Sequence, residues 1–303
     1  MAYKSKRNGL KILVILGPTA TGKSNLAVKL AKKYKGEVVS ADSRQVYTGL
    51  DIGTGKITKK EMRGVPHQML DVVSPETIFS VVDWKKQAEK IIVDVLSRGK
   101  LPIICGGTGF YIQSIVDGIV LPEVGLNKTL RKRLEKKSTK ELFEILKKLD
   151  HRRARIIDRH NPARLIRAIE IATAIGSVPD MRKQKSRYDI LQIGLTLPPK
   201  KLKERIRIRL FARIREGMIL ETKKLRKGGL SWKRMRTLGL EYKYLADYLE
   251  QKLTRDEFIQ KLEIETWHYV KRQMTWFKRD KRIKWFNPNQ ISKIRAEVDK
   301  FLA

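Results

Sequence analysis

The chain has 303 residues, of which 41% are hydrophobic, and a formal net charge of +35. This length and hydrophobic content are enough for one large α/β domain or two smaller ones, and they exclude a disordered chain. The single cysteine, Cys105, excludes an internal disulfide and a zinc site built from several cysteines. We therefore expect a reducing, cytoplasmic compartment, and no apolar run is long enough to predict a membrane span or secretion.

The positive charge is concentrated in three segments. Residues 128–159 carry 13 Lys and Arg against 5 Asp and Glu, residues 200–243 carry 16 against 4, and residues 271–284 carry 7 against 1. The acidic side chains are too few to pair with these cations along helices, and a polyanion would relieve their mutual repulsion. Nucleic-acid binding is therefore favoured over a merely solvated surface. A membrane-surface role is less favoured, because the basic helices lack a bulky aromatic face.

Strands and helices alternate in the first part of the chain. The helix before the third strand begins at the capping box Ser80-x-x-Asp83 and ends at Gly99. Alternation of this kind predicts a parallel sheet, in which ligands bind beyond the carboxyl ends of the strands. The predicted strands are residues 10–16, 37–40 and 101–105, and the predicted helices are residues 23–34 and 81–97.

After Pro122 the pattern becomes all-helical. Ser138-x-x-Glu141 is a capping box, Asn161-Pro162 predicts a helix start and Gly176 predicts a stop. A loop over 176–187, a strand over 188–197 that returns to the sheet, further helices and a short strand over 283–286 are expected to follow. The predicted insertion helices are residues 129–137, 139–149 and 162–175, and the predicted domains are 1–122 (core), 123–185 (helical insertion) and 186–303 (return strand and helical C-terminal region).

The loop after the first strand has the pattern G-x-x-x-x-G-K-[ST] of a phosphate-binding loop, or P-loop. Its backbone amides surround a phosphate at a helix N-terminus, Lys23 reaches the outer phosphates, and the Ser24 hydroxyl holds Mg²⁺. The predicted fold class is therefore α/β, with a P-loop parallel sheet flanked by helices, an all-helical insertion and a helical C-terminal region. The predicted phosphate-binding residues are Gly17, Pro18, Thr19, Ala20, Thr21, Gly22, Lys23 and Ser24.

A P-loop is also typical of ATPases, GTPases and kinases, but their other motifs are absent. The strand over 101–105 leads into glycines rather than the Asp of a Walker B strand, and no guanine-reading Asn-Lys-x-Asp set is present. Asp42, at a strand end, is a candidate general base, with a turn or N-cap role as the alternative. Thr108, among three glycines, is placed to approach a substrate closely, although a structural turn would look the same.

The order and spacing of seven segments resemble the tRNA dimethylallyltransferase (tRNA isopentenyltransferase) family over nearly the whole chain. The chain lacks the Cys/His zinc finger that eukaryotic members often append, so it resembles the bacterial type. It has Gly55, Gln68 and Phe110 where the family usually has Ala, His and Leu, changes that leave the polar chemistry intact. The segments are residues 17–24, 42–47 (DSRQVY), 51–56 (DIGTGK), 66–71 (PHQMLD), 106–111 (GGTGFY), 164–170 (RLIRAIE) and 271–276 (KRQMTW).

The resemblance implies transfer of the dimethylallyl group from dimethylallyl diphosphate to the N6 amine of the adenosine 3′-adjacent to the tRNA anticodon. Asp42 matches the family's base, and Thr108 matches the residue that hydrogen-bonds the bridging oxygen. Lys23 and Mg²⁺ at Ser24 would stabilise the released diphosphate.

Three arginines, Arg205, Arg209 and Arg213, lie at i, i+4 and i+8 of a predicted helix. The first two match family positions and are favoured as diphosphate-binding residues, with contact to tRNA phosphates as the alternative.

The resemblance also implies that the helical insertion grips the anticodon stem-loop of a tRNA while one base is extruded. We expect a monomer that binds tRNA and dimethylallyl diphosphate and no membrane. Trp267, Tyr269, Trp276 and Phe277 are favoured as core residues over base-stacking platforms. The predicted tRNA-binding residues are Asp42, Ser43, Arg44, Gln45, Thr108, Arg131, Ala163, Arg164, Leu165, Ile166, Arg167, Arg236, Thr237, Leu238, Gly239, Leu240 and Glu241.

Three alternatives are open from the residues. A P-loop nucleoside or RNA kinase would use ATP as the donor, and a non-catalytic RNA-binding module would keep only a relic loop. A prenyltransferase of free adenylates, as in cytokinin synthesis, would have less need of a basic insertion.

Overall fold

A computed structural model describes residues 10–180 and 186–303 of the chain. Residues 1–9 and 181–185 lie outside the described residues, and with them part of the loop predicted over 176–187. The chain divides into two compact units. Unit 1 comprises the described residues of Met1–Gly118 and Lys185–Ala303, and unit 2 comprises those of Ile119–Gln184.

Unit 1 contains a sheet of six strands, all paired in parallel, in the order β3-β2-β4-β1-β5-β6. The strands are β1 Leu10–Leu16, β2 Gly36–Ala41, β3 His67–Gln68, β4 Leu101–Gly106, β5 Tyr188–Leu195 and β6 Lys284–Phe286. Leu13 of β1 is in register with Ile103 of β4 on one side and with Leu191 of β5 on the other. Strand β1 therefore lies near the centre of the sheet.

Helices cover both faces of the sheet. The first four are α1 Lys23–Lys33, α2 Lys59–Met62, α3 Val81–Ser97 and α4 Gly109–Val116. Alternate residues of β1 point to opposite faces, so Leu13 packs in the cluster that contains Leu30 of α1. Val14 packs in the cluster that contains Trp84 of α3. Burial on both faces explains why β1 is an almost uninterrupted apolar run.

Unit 2 is all-helical around its own core. Its helices are α5 Lys128–Leu134, α6 Thr139–Leu149, α7 His151–Ile156 and α8 Pro162–Ile175. Ser138 and Glu141 form the predicted capping box of α6, and the Asn161 side chain accepts the Arg164 N–H at the start of α8. Helix α7 was not predicted. Asp150 caps it by accepting the Arg153 N–H at 2.8 Å.

The chain after β5 is helical, as predicted. Its helices are α9 Pro199–Arg215, α10 Met218–Lys227, α11 Trp232–Met235, α12 Leu240–Leu249, α13 Arg255–Phe277 and α14 Ile291–Leu302. Ile294 and Val298 attach α14 to the α1 side of the sheet, whereas Phe277 of α13 is buried on the α3 side.

The structure confirms the predicted fold class, the capping box of α3 and the bounds of β1, α3, α6 and α8. Strand β3 was missed, because two residues carry no periodic pattern. Within the described residues, no helix is both long enough and apolar enough to cross a membrane.

Candidate active site

Three loops that carry predicted functional residues lie at one edge of the sheet, because β2, β4 and β1 are adjacent and parallel. Their backbones approach each other very closely. A Cβ added to Gly106 would lie 2.1 Å from the Ala41 carbonyl oxygen. A Cβ added to Gly17 would lie 2.4 Å from the Leu195 carbonyl oxygen, and the φ of Gly17 is +136°. Glycine is therefore required at the ends of β1 and β4.

The P-loop connects β1 to α1. Ala20 and Gly22 have φ values of 63° and 90°, which bend the loop around its centre. The Thr21 hydroxyl donates to the Pro18 carbonyl at 2.9 Å, and the Lys23 ammonium donates to the same carbonyl at 2.7 Å. Burial lowers the pKa of Lys23 to about 8. An anionic ligand in the loop would reverse that shift by stabilising the charged ammonium.

Helix α9 brings further cations to the P-loop. Arg209 is close enough to Lys23 to contribute to the lowered pKa of the lysine. Burial, followed by the charge of Arg213, lowers the pKa of Arg209 itself to about 10. Arg213 donates to the Gly53 carbonyl and to Glu241, both at 3.3 Å, whereas Arg205 is exposed. The half-buried cations Arg209 and Lys23 make this edge of the sheet electropositive, which favours an anion there.

Asp42 and Thr108 lie on adjacent loops that are hydrogen-bonded to each other. Asp42 Oδ1 accepts the N–H of Arg44 at 2.8 Å, so the carboxylate forms the turn that was one of its predicted roles. Its second oxygen accepts no hydrogen bond within the described part of the chain and is available for a substrate proton. The Thr108 hydroxyl oxygen accepts the Ser43 N–H at 3.0 Å, which leaves its own proton to donate elsewhere.

Burial raises the pKa of Cys105, at the end of β4, to about 12. The thiol therefore stays protonated, and no thiolate nucleophile is present at this site.

The segment over 51–56 is held by Glu221 of α10, a residue that the sequence reasoning missed. Its carboxylate accepts the N–H groups of Asp51, Ile52 and Gly53 at 3.0, 2.7 and 3.0 Å. It also accepts the Tyr242 hydroxyl at 2.7 Å. Glu221 therefore fixes the loop through which Gly53 contacts Arg213.

Lys56, in the same segment, binds the Asp51 and Asp71 carboxylates at 2.6 and 2.5 Å. Its ammonium is used to close this loop and not to bind a phosphate.

Helix α13 places Tyr269, Gln273 and Trp276 beside the site at i, i+4 and i+7, and of these the sequence reasoning gave no role to Gln273. Gln273 accepts the Thr19 N–H at 3.0 Å and donates to the Gly107 carbonyl at 2.9 Å. Trp276 packs edge-on against Phe110 with ring centroids 6.2 Å apart. Burial, followed by the charge of Asp42, raises the pKa of Tyr269. Tyr269 and Trp276 are partly exposed beside the site, and Phe277 is in the core as predicted.

Some of the predicted tRNA-binding residues meet in unit 1. The Arg44 guanidinium donates to the Thr237 carbonyl at 3.0 Å, which joins the loop over 42–45 to the segment over 236–241. Arg236 forms ion pairs with Asp247 and Glu250. The Leu238 side chain is fully buried, so it packs in the core and does not face a partner.

The other predicted tRNA-binding residues lie in unit 2. Arg131 binds Glu170 through two hydrogen bonds of 2.6 and 2.8 Å, and Arg167 binds the same carboxylate at 3.5 Å. Leu165 and Ile166 are buried in the core of this unit, so their side chains support α8 from inside. Ala163 and Arg164 are exposed.

Comparison with known proteins places this geometry in a family. Residues 45–280 match the model of a family described as "IPP transferase". The chain is 39% identical to a tRNA dimethylallyltransferase of Anoxybacillus flavithermus, over 97% of this chain and 96% of that protein. It is 45% identical to tRNA dimethylallyltransferase 2 of Treponema denticola, over 92% of this chain and 94% of that protein.

Solved structures agree. A tRNA isopentenylpyrophosphate transferase from Bacillus halodurans aligns over 96% of both chains, with a TM-score of 0.73 and 36% identity. A eukaryotic dimethylallyltransferase acting on tRNA aligns over 88% of this chain and 69% of its own, with a TM-score of 0.73 and 26% identity. The resemblance found in the seven sequence segments is thus confirmed, and the chain belongs to the IPP transferase family.

Proposed function

We propose that this chain transfers the dimethylallyl group from dimethylallyl diphosphate to the N6 amine of the adenosine 3′-adjacent to a tRNA anticodon, releasing diphosphate. The observation that carries the proposal is the convergence of Lys23, Asp42 and Thr108 on three neighbouring strand ends. These residues would supply a phosphate site, a base and a hydroxyl donor at one end of the sheet. The relatives named above, which act on tRNA by their names, support the same reaction.

The diphosphate of the donor would occupy the P-loop. Backbone amides at the N-terminus of α1 favour an anion there, and Lys23 would exchange the Pro18 carbonyl for a phosphate oxygen. Arg209 lies beside Lys23 and would neutralise charge that accumulates on the leaving group. Arg205, one turn earlier and exposed, is proposed as the outer diphosphate-binding residue.

Mg²⁺ fits this site through Ser24, whose side chain is exposed at the start of α1. Among residues 10–180 and 186–303, no group of three or more His, Cys, Asp and Glu could hold a metal ion. A single protein hydroxyl, that of Ser24, suits Mg²⁺, which is commonly bound through one or two protein oxygens together with substrate phosphates. When bound, Mg²⁺ would lower the charge of the departing diphosphate.

The acceptor amine would enter from the Asp42 side. The amine nitrogen forms a bond to C1 of the dimethylallyl group while the bond from C1 to the bridging oxygen breaks. The free oxygen of Asp42 takes the amine proton, and the Arg44 N–H keeps the carboxylate in place. Thr108 donates its hydroxyl proton toward the bridging oxygen, since its oxygen is already engaged by the Ser43 N–H.

The rest of the tRNA is proposed to be held by its phosphates. The three basic segments supply the charge, and in unit 2 Arg164 is exposed while Arg131 is oriented by Glu170. Phosphate contacts of this kind release counterions, so affinity for tRNA should fall steeply between low and moderate salt. We propose a cytoplasmic monomer, as expected for a tRNA-modifying enzyme without a membrane-spanning helix in its described residues.

The test is one assay with purified protein, Mg²⁺, an unmodified anticodon stem-loop, and either dimethylallyl diphosphate or ATP, followed by RNA mass spectrometry. The proposal expects a gain of one five-carbon unit with the prenyl donor alone. Asp42→Asn keeps an oxygen for the Arg44 N–H but removes the base, so turnover should fall about 10²- to 10⁴-fold. Asp42→Ala removes both the base and the turn contact.

The contrary outcomes separate the alternatives. A phosphate gain with ATP would indicate a kinase, and no change with either donor would indicate a binding module. Prenylation of free adenylate in preference to the stem-loop would indicate a synthase of small prenylated adenylates.

A further inference from the structure

We infer that Gln273 is a positioning residue that sets the distance between the P-loop and the Thr108 loop, and through it the alignment of the diphosphate with Thr108. The inference rests on the proposed function, in which the P-loop binds the diphosphate and Thr108 binds the bridging oxygen of the same leaving group. Nothing in the sequence patterns had assigned Gln273 a role, because its partners are 254 and 166 residues away along the chain.

The geometry of the Gln273 side chain is that of a clamp. Its carbonyl oxygen accepts the Thr19 N–H at 3.0 Å and its amide nitrogen donates to the Gly107 carbonyl at 2.9 Å. Gln273 is only 6% exposed, so its amide group binds these two backbone groups and not water. One planar group therefore fixes two backbone peptides, one in each loop.

Gln273 packs tightly against Gly107. A Cβ added there would lie 2.4 Å from the Gln273 amide nitrogen. The Gly17 carbonyl oxygen lies 3.7 Å from the same added atom, so the gap between the P-loop and the Thr108 loop at this point has room for little more than a methyl group. A change in the length or hydrogen bonding of residue 273 must therefore move one loop relative to the other.

The helix that carries Gln273 is itself anchored to the site. One turn later, Trp276 is so close to the Thr108 loop that a Cβ added to Gly109 would lie 2.3 Å from its ring. Phe277, the next residue, is buried in the core beside β1 and β4. Because α13 is held in place by both Trp276 and Phe277, the Gln273 side chain is held rigidly and can fix the positions of the two loops.

An amide both donates and accepts in a fixed plane, and it does so at every pH of the assay. A carboxylate at the same position would accept from Thr19 but could not donate to the Gly107 carbonyl. When protonated, a carboxylic acid regains one donor and one acceptor, and so reproduces the amide. This difference gives the inference a pH-dependent signature.

The experiment compares Gln273→Met, Gln273→Glu and the wild-type chain in the prenyl-transfer assay. Gln273→Met should lower kcat about 10²-fold, the cost of a small misplacement of reacting groups, with the KM for the stem-loop changed less than twofold. The activity of Gln273→Glu relative to wild type should rise at least fivefold as the pH is lowered from 8 to 5.5, because the glutamic acid side chain becomes protonated. The same ratio for Gln273→Met should stay flat.

Gln192 of β5 provides the matched control. It is 3% exposed and its side chain donates to Asp280 at 2.9 Å, and among the described residues its side chain forms no hydrogen bond to either loop. Gln192→Met should lose stability with kcat unchanged. Equal losses of kcat in Gln192→Met and Gln273→Met would overturn the inference, as would wild-type kcat in Gln273→Met.

A second readout is independent of the prenyl-transfer reaction. Binding of inorganic pyrophosphate with Mg²⁺, measured by calorimetry, should weaken at least fivefold in Gln273→Met and remain unchanged in Gln192→Met. Failure of prenyl transfer in the wild-type chain would refute the proposed function, whereas unchanged pyrophosphate affinity in Gln273→Met would refute the role of Gln273.

Discussion

Replacing Thr108 by valine tests whether a single hydroxyl proton assists departure of the diphosphate. Valine has nearly the same shape but removes both roles of the hydroxyl. As an acceptor, the hydroxyl oxygen binds the Ser43 N–H at 3.0 Å. The same oxygen does not cap α4, although Thr108 is the N-cap residue of that helix, and the hydroxyl proton is left to donate to the substrate. The two roles make separate contributions that can be measured separately.

The donor contribution appears in the rate. A hydrogen bond to a charged group contributes about 1.5–3 kcal/mol. If that bond forms only as charge develops on the bridging oxygen, its loss lowers kcat about 10- to 150-fold. The acceptor contribution appears in stability, because the Ser43 N–H is left without a partner at a cost of about 1–3 kcal/mol.

Single-turnover prenyl transfer at saturating donor and stem-loop measures the first effect, and guanidinium unfolding measures the second. Thr108→Ser keeps the hydroxyl and should stay within about threefold of the wild-type rate. A Thr108→Val rate within threefold of wild type would refute the reasoning. An equal loss in the serine variant, which keeps the hydroxyl, would show that the hydroxyl does not account for the effect.

Three further predictions concern charged residues at the P-loop and at the segment over 51–56. Because the pKa of Lys23 is about 8 in the free protein and a bound anion raises it, pyrophosphate binding at pH 9 should take up a proton. Calorimetry in two buffers should detect that uptake in wild type, and the same uptake in Lys23→Met would contradict it. Arg209→Gln should raise the KM for dimethylallyl diphosphate at least tenfold more than Arg205→Gln, because Arg209 is half-buried beside Lys23 whereas Arg205 is exposed. Steady-state kinetics that gave the reverse order would refute this. Glu221→Gln should lower the free energy of unfolding by about 2 kcal/mol, since a charged acceptor of three backbone N–H groups is lost; chemical denaturation showing a change below about 0.5 kcal/mol would refute that role.

Local signals explain how much of the fold was predictable. The bounds of α3, α6 and α8 were correct because capping boxes and an Asn-Pro start lie within four residues of the helix ends they define. Helix α7 and strand β3 were missed, because six and two residues are too short for a periodic pattern. The order of the strands also lies beyond local pattern, because it depends on which edges pair after the helices pack.

In the candidate active site, too, residues with a local sequence signal could be predicted and residues that act through distant contacts could not. Asp42 and Thr108 could be singled out because each directly follows a strand, and parallel strands bring their carboxyl ends together. Glu221 could not, because it binds residues 168 to 170 positions earlier. Its only signal would have been an acidic residue in a basic segment. Helical spacing placed Arg205, Arg209 and Arg213 on one face, but it could not show that Arg209 is half-buried while Arg205 is exposed.

The glycines at the ends of β1 and β4 limit how the substrate range of this enzyme could be changed by directed evolution. Gly17 and Gly106 lie against neighbouring main chains, so no side chain can be added there without separating the strands. Selection for a bulkier donor would then act on side chains of the neighbouring helices. Phe110 and Trp276, whose rings meet beside the Thr108 loop, are the positions where a library should be built first.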